Sequence, residues 1–264
     1  MKPTLSIIIP VLNEERALQT ILKDIDLCSA SSKYAIECIV VDGGSEDKSV
    51  AVCESFGVKV IQAPRGRGQQ LASGAKVATG EVLLFLHADS RLTSAHCKAA
   101  LETISMNGIM AGGFKLAFDD SHLILKFAEW LNLLRFRVTR IVYGDHGIFA
   151  RREKYEAAGG FPPQPLFEDV EFFRRLKKLG KIVMISPPLV TSARRFRAGG
   201  VVRTYLKMAL LHILYWFKVS PNYLAKLYHL DLAGQGRCGK KRSPKDSSNL
   251  KKPDPASRNQ TGNS

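Results

Sequence analysis

Several things are missing from this chain, and each omission narrows what it can be. Its five cysteines, Cys28, Cys38, Cys53, Cys97 and Cys238, form no C-x-x-C pair and leave an odd one. A disulfide framework is therefore excluded, and a reducing, cytosolic compartment is the expectation. The first strand is expected to start near Leu5, and no signal peptide is expected ahead of it. No G-x-G-x-x-G follows that strand and no G-x-x-x-x-G-K-[ST] occurs anywhere, so the dinucleotide fold and the P-loop fit poorly. There is no internal repeat. The segment Tyr205 to Phe217 (YLKMALLHILYWF) is apolar almost all round, yet from Met208 to Phe217 it runs only ten residues. That is far short of the roughly 20 needed to span a bilayer. Acidic residues are scarce, 24 against 39 Lys and Arg, giving a net charge of +15. A balance that basic draws anionic partners; with no recognition motif for nucleic acid, diphosphates and anionic lipids are the simpler targets.

What is present is a series of short apolar runs that end abruptly in polar residues. Gly80 to Leu92 (GEVLLFLHADSRL) reads as a central strand, covered on both faces, that stops at His87-Ala88-Asp89. Leu5 to Leu12 ends in Asn13-Glu14 and leads into a helix with Ala17, Leu18, Ile21, Leu22 and Ile25 on one face. Glu37 to Val41 ends in Asp42-Gly43-Gly44-Ser45, before a helix from about Lys48 to Phe56. Val58 to Ile61 leads into Arg65-Gly66-Arg67-Gly68 and a helix reaching Thr79. Successive βα units predict an α/β fold with a mostly parallel sheet.

Open α/β sheets bind ligands beyond the carboxyl ends of their strands. One edge of this sheet should collect Asn13, Glu14, Asp42, Arg65, Arg67, His87 and Asp89, the contents of a nucleotide-diphosphate site. Asp42 can accept from a base N–H, Gly43 and Gly44 permit close backbone approach, and Arg65 and Arg67 offer forked donors to phosphate oxygens. Asp89 suits a divalent cation, Mn²⁺ or Mg²⁺, that bridges the phosphates. The plainer alternatives are that Asp89 caps the helix beginning near Thr93 and that the arginines are solvated loop charges.

The second half reads as an acceptor side. Gly144-Asp145-His146-Gly147 leads into a short strand, Ile148 to Ala150, and Gly159-Gly160-Phe161-Pro162-Pro163 breaks the chain after a helix starting near Glu153. Phe167-Glu168-Asp169 opens a helix with Val170, Phe173 and Leu176 on one face. Carboxylates in a first helical turn also suit the helix dipole, and Asp145 and His146 are also ordinary turn residues.

The segments IIIPVLNEE, VVDGGSEDKSV, RGRGQQLASGAKVATGEVLLFLHADSRL and GIFARREKYEAAGGF…FEDVEFFRRLKKLGK together resemble the ordered motifs of the family 2 glycosyltransferases, from Leu5 to Tyr228. His-Ala-Asp, Gly-Asp-x-Gly and a late Ser-Ala-Arg-Arg-Phe-Arg resemble the radical-SAM/selenodomain-associated transferase 2 group within it. The resemblance implies a GT-A fold and inverting transfer of a sugar from a nucleotide-diphosphate donor to an acceptor hydroxyl. It puts Pro10, Val11 and Glu14 beside the nucleoside, Asp42 on the base, and Asp89 at the last position of an Asp-x-Asp metal motif whose first aspartate is replaced by His87. It makes Asp169, in the Glu168-Asp169 pair, the general base. Arg194 and Arg195 stand roughly where related enzymes carry Gln-x-x-Arg-Trp, and Trp is absent. A nucleotidyltransferase of related architecture and a non-catalytic nucleotide-binding scaffold are the alternatives.

The expected layout is a GT-A domain over 1–233, with a nucleotide-sugar half (1–92), an acceptor half including Gly144, Asp145 and His146 (93–200) and a helical segment (201–233). A basic tail (234–264), with eight Lys and Arg against two Asp and almost no apolar residues, should be disordered. Tyr205 to Phe217 and the amphipathic Leu123 to Val138 carry Trp, Tyr, Lys and Arg suited to a headgroup interface. Peripheral attachment to the cytoplasmic membrane face and a lipid-linked acceptor follow as expectations, with internal packing of both helices or a dimer contact as the alternative.

Overall fold

The computed structural model describes residues 4–120, 122–191 and 200–228. The expected tail lies outside the described residues. One eight-stranded sheet, in the order β3-β2-β1-β4-β7-β6-β8-β5, runs through both the 1–92 and the 93–200 segments. Its first four members are β1 (Leu5–Val11), β2 (Ile36–Asp42), β3 (Lys59–Gln62) and β4 (Val82–Phe85), all paired in parallel as expected. The rest is mixed. β7 (Ile148–Arg151) runs antiparallel to both β4 and β6 (Ile109–Phe118), β8 (Lys181–Thr191) is parallel to β6, and β5 (Ser90–Arg91) closes on β8 antiparallel.

Strand β1 shows why the sheet is buried on both faces. Leu5, Ile7, Ile9 and Val11 point into one apolar cluster with Leu18, Ile21 and Leu22 of α1 (Glu15–Ser31), while Ile8 points into another with Leu71 and Ala75 of α3 (Arg67–Val77). The first cluster also takes Val52 and Cys53 of α2 (Ser49–Ser55) and Cys97, Ala100, Leu101 and Ile104 of α4 (Ser94–Ser105). The second takes Phe136 of α5 (Leu123–Thr139), Tyr155 of α6 (Arg152–Ala157) and Phe172, Phe173 and Leu176 of α7 (Glu168–Leu176). Helix α8 (Val201–Trp216) and a helix over 221–228 sit outside this sandwich, where Leu211 and Leu224 pack on Phe167 and Val170 at the start of α7.

Register places the ligand edge. Val11 pairs with Asp42 and Asp42 with Gln62, so the loops after β1, β2 and β3 emerge side by side. Because β7 is antiparallel to β4, its first residue, Ile148, pairs with the last residue of β4, Phe85. The turn before β7 therefore stands next to the turn after β4, and loops from both halves of the chain share one edge.

The β4 turn is fastened from outside. Thr93, not Asp89, caps α4, in a reciprocal box with His96. Asp24, nearly buried on α1, receives Arg91 Nε at 2.8 Å, Arg91 Nη2 at 3.1 Å and the Leu92 N–H at 3.2 Å. That carboxylate anchors the chain just past Asp89. Asp24→Ala leaves the buried Leu92 N–H without an acceptor and should cost about 1–3 kcal/mol in urea unfolding. Unchanged stability would show that the fork does not hold the turn.

Candidate active site

The loops after β1 and β2 are woven together. The Asn13 side chain accepts the Glu46 N–H at 2.8 Å, while Ser45 and Ser49 hydroxyls accept the Asn13 and Glu14 N–H groups at 2.9 Å each. Asp42 is buried and receives the Gly44 N–H at 3.0 Å and the Ser45 N–H and hydroxyl. Burial pushes its carboxyl up, and the donors from Ser45, Gly44 and Gln62 outweigh that and hold it below the ordinary range. Asp42 is thus the organiser of its own glycine loop. Gln70, which sequence reasoning overlooked, donates to the Val11 and Val41 carbonyls at 2.8 Å each and pins α3 across the ends of β1 and β2. A Cβ on Gly43 would meet Gln70 Nε2 at 3.0 Å, which explains the glycine by close approach. Pro10 is half-buried, Val11 buried and Arg65 exposed on the loop after β3.

Asp89 is half-buried on the turn after β4 and accepts no hydrogen bond from the described residues. It lines a cavity of about 240 Å³ with Arg16, Ala17, Thr20 and Arg91, on the α1 flank of the turn. No three His, Cys, Asp or Glu among the described residues form a protein-only metal cage. A hard carboxylate oxygen without a partner among the described residues nevertheless suits a divalent cation whose other ligands are diphosphate oxygens and water. On the same turn, His87 Nε2 lies 3.3 Å from Arg67 Nη1.

Arg67 is the centre of the acceptor-side cluster. The first residue of α3, it reaches α7 through an Nε contact to Glu168 Oε1 and an Nη2 contact of 3.3 Å to Asp169 Oδ2. Asp169 Oδ2 also receives the Gly144 N–H at 2.8 Å, and Oδ1 the Val170 N–H at 2.7 Å. Both carboxylates are buried, and burial pushes Glu168 up because the positive charge of Arg67 only partly offsets it. Glu168 Oε2 has no partner among the described residues. Phe167 sets the pair's direction: its φ of 62° turns the chain sharply into α7, a conformation costly for a bulky residue and held by packing of its ring on His212 and Tyr215.

Gly144, Asp145 and His146 form a short 3-10 turn before β7. A Cβ on Gly144 would lie 3.1 Å from His87 Nε2 and 3.2 Å from Arg67 Nη1, so the glycine lets the backbone sit close against the cluster. Asp145 is exposed, and the neighbouring charges of His146, Arg135, His87 and Arg67 hold its carboxyl below its ordinary value. His146 is buried, bonds Phe114 O through Nδ1 at 2.9 Å, and is pushed down by burial. Its ring points into the fold and behaves as a core histidine. Arg135 of α5, unnoticed in the sequence, stacks 3.7 Å from the Tyr143 ring centre beside this turn. Arg194 and Arg195 lie outside the described residues.

The fold and this edge define a GT-A architecture, and comparison with known proteins agrees. The sequence model of glycosyl transferase family 2 matches residues 6–153, more than half of the chain, and the protein belongs to that family. The chain is 30% identical over 109 residues to the 4,4'-diaponeurosporenoate glycosyltransferase of Staphylococcus haemolyticus, covering 38% of this chain and 27% of that protein. It is 27% identical over 154 residues to the undecaprenyl-phosphate 4-deoxy-4-formamido-L-arabinose transferase of Sodalis glossinidius, covering 55% and 47%. The match thus spans less than half of either relative. Among solved structures, the mannosyltransferase PcManGT from Pyrobaculum calidifontis, in complex with GDP-Man and Mn²⁺, superposes with a TM-score of 0.59 at 19% identity, over 91% of this chain and 77% of that one. S. aureus TarS in complex with UDP-GlcNAc gives 0.58 at 20%, over 73% and 58%. At such identities these likenesses speak for the fold.

Gly68, next to Arg67, is where α3 meets the acceptor half. A Cβ there would lie 2.6 Å from the Pro162 carbonyl and 3.1 Å from the Gln164 carbonyl and Glu168 Cβ. Backbone oxygens cannot swing aside, so Gly68→Ala should force α3 from α7 and cost about 1–3 kcal/mol in thermal unfolding. A variant as stable as the wild type would mean that the two helices are not in close contact here.

Proposed function

We propose that the protein transfers a sugar from a nucleoside-diphosphate sugar to an acceptor hydroxyl, with inversion at C1. The observation that carries this reading, in a family 2 chain, is that Asp169 of α7 accepts the Gly144 N–H of the turn before β7, which stands beside the turn after β4 that carries Asp89. The acceptor oxygen attacks C1 as Asp169 removes its proton, and the C1–O bond electrons leave with the nucleoside diphosphate. Pro10, Val11, Glu14, Asp42 and Gly43 border the nucleoside; Arg65 and Arg67, with Arg194 and Arg195, serve the diphosphate. Asp89 would hold a divalent cation, Mn²⁺ or Mg²⁺, which supplies charge neutralisation for the leaving group. The solved neighbours with Mn²⁺ or Mg²⁺ support that assignment.

Purified protein offered a panel of UDP-, GDP- and dTDP-sugars should release nucleoside diphosphate from at least one. With that donor, Asp169→Asn should lower turnover by about 10² or more without weakening donor affinity. Near-normal turnover would move the base to another residue, Asp145 first. Asp89→Ala or EDTA should abolish donor binding in titration calorimetry, and binding indifferent to both would remove the cation from the account.

The acceptor is lipid-linked and is met at a membrane surface, to which the protein attaches peripherally on the cytoplasmic face. No described helix is long and apolar enough to cross a membrane. Two helices nonetheless present apolar side chains outward: Phe127, Trp130, Leu134 and Val138 on α5, and Leu206, Leu210 and Ile213 on α8, followed by Trp216 and Phe217 at 87% and 79% exposure. Residues 201–228 contain Arg203, Lys207, Lys218 and Lys226 and no acidic residue, a composition suited to anionic headgroups. The inner face of α8 packs on α7, so internal packing and an outward apolar face coexist. The names of the two relatives above, with a diaponeurosporenoate and an undecaprenyl phosphate, support an apolar acceptor. Flotation with liposomes should require anionic lipid, weaken with salt, and drop when Trp216 and Phe217 are changed to Ser. Protein that stays entirely soluble at low salt would point to a soluble acceptor.

A further inference from the structure

We infer that Arg67 changes partners during the reaction: the carboxylates of Glu168 and Asp169 hold it in the free protein, and it moves to the donor diphosphate, uncovering Asp169 for the acceptor hydroxyl. The inference rests on the transfer reading proposed above.

Hydrogen-bond accounting at Asp169 leads to it. Oδ2 has two lone pairs, and both are engaged, one by the Gly144 N–H and one by Arg67 Nη2. Oδ1 takes the Val170 N–H and keeps one acceptor site, so the crowding is at Oδ2. Two of these three donors are backbone groups fixed by the turn before β7 and by α7. Only Arg67 sits on a side chain that can rotate away. It is also the outermost member of the cluster, its side chain 33% exposed over carboxylates that are 1% and 5% exposed. Before it can take a proton on Oδ2, Asp169 must lose this cover.

The same guanidinium has a second call on it. Arg67 opens α3 directly after Gly66, whose φ of 144° and empty surroundings leave that turn free of side-chain obstruction, on the edge where the loops after β1 to β4 converge. A leaving diphosphate needs a forked cation there. One exchange therefore meets both needs: donor binding draws Arg67 outward, and the base is exposed only when there is a donor to attack. Burial has already pushed Glu168 upward, so it takes a proton from solvent more readily than an ordinary carboxyl once Arg67 departs. Arg67 is in this sense a positioning residue, acting on proton transfer through Asp169.

The test is ¹⁵N-edited NMR of the arginine Nε–H groups, with the Arg67 signal assigned by its loss in Arg67→Lys, during titration with UDP or GDP and Mg²⁺. The Arg67 resonance should move along the same saturation curve as binding. In parallel, Glu168→Gln removes one competitor for the guanidinium and should tighten nucleotide affinity about 10-fold, the scale of one charge-assisted hydrogen bond, while lowering turnover. A merely structural role for Arg67 predicts no such gain. Nucleotide binding that leaves the Arg67 signal unmoved, or a Glu168→Gln variant that binds no tighter, overturns the exchange and leaves the transfer reading intact. A wild-type protein that binds neither nucleotide overturns both.

Discussion

The ion-pair cluster of Arg67 with Glu168 and Asp169 is the constraint on which the rest of the site depends. Its members are 101 and 102 residues apart, and they join α3, the helix that follows the third parallel strand, to α7. Glu168 is buried, and a buried carboxylate stripped of its partner is costly, by about 3–5 kcal/mol where such pairs have been broken. Close contact of α3 with α7, through Gly68, and the approach of Gly144 to His87 both serve this cluster. The α3 and α7 sides of the sheet edge are therefore joined by a shared charge.

Strand direction is what allows that meeting. Parallel strands β1 to β4 send their following loops to one edge, and the antiparallel β7 begins at that edge, so the 3-10 turn before it enters beside the turn after β4. Asp24 and Arg91 brace the far side of the β4 turn, and Gln70 braces α3 against β1 and β2. Each brace is a side chain satisfying buried polar groups, which fixes position more sharply than apolar packing alone.

Much of this was legible in the sequence. The apolar runs ending in Asn13, Asp42 and Asp89 marked β1, β2 and β4, because a strand buried on both faces has no polar alternation to confuse it. The pattern of α1 and the Phe167-Glu168-Asp169 helix start were equally plain. The partner of Arg67 was not, since nothing local links a glycine-rich loop to a helix a hundred residues on; the loop read as a set of phosphate contacts. Asp24 was hidden as one polar residue in an amphipathic helix. Strand β8 was missed because Ser186-Pro187-Pro188 argues against a strand, and the structure accommodates the prolines with a register shift between Phe114 and Leu116 of β6. The left-handed Phe167 has no signal in its residue type, and its ring contacts come from α8, far along the chain.

The outward apolar faces of α5 and α8 extend the same logic to the surface. Tyr143, just before the 3-10 turn of Gly144 to His146, contacts Arg135 of α5 and His212 of α8, so both helices abut that turn. All of this presumes that the Arg67 cluster truly couples the two sides. A double-mutant cycle on urea unfolding with Arg67→Met, Glu168→Gln and the combined variant measures that directly. The account gives a coupling of about 1–3 kcal/mol, with the double variant less damaged than the sum of the singles; strictly additive effects would contradict it.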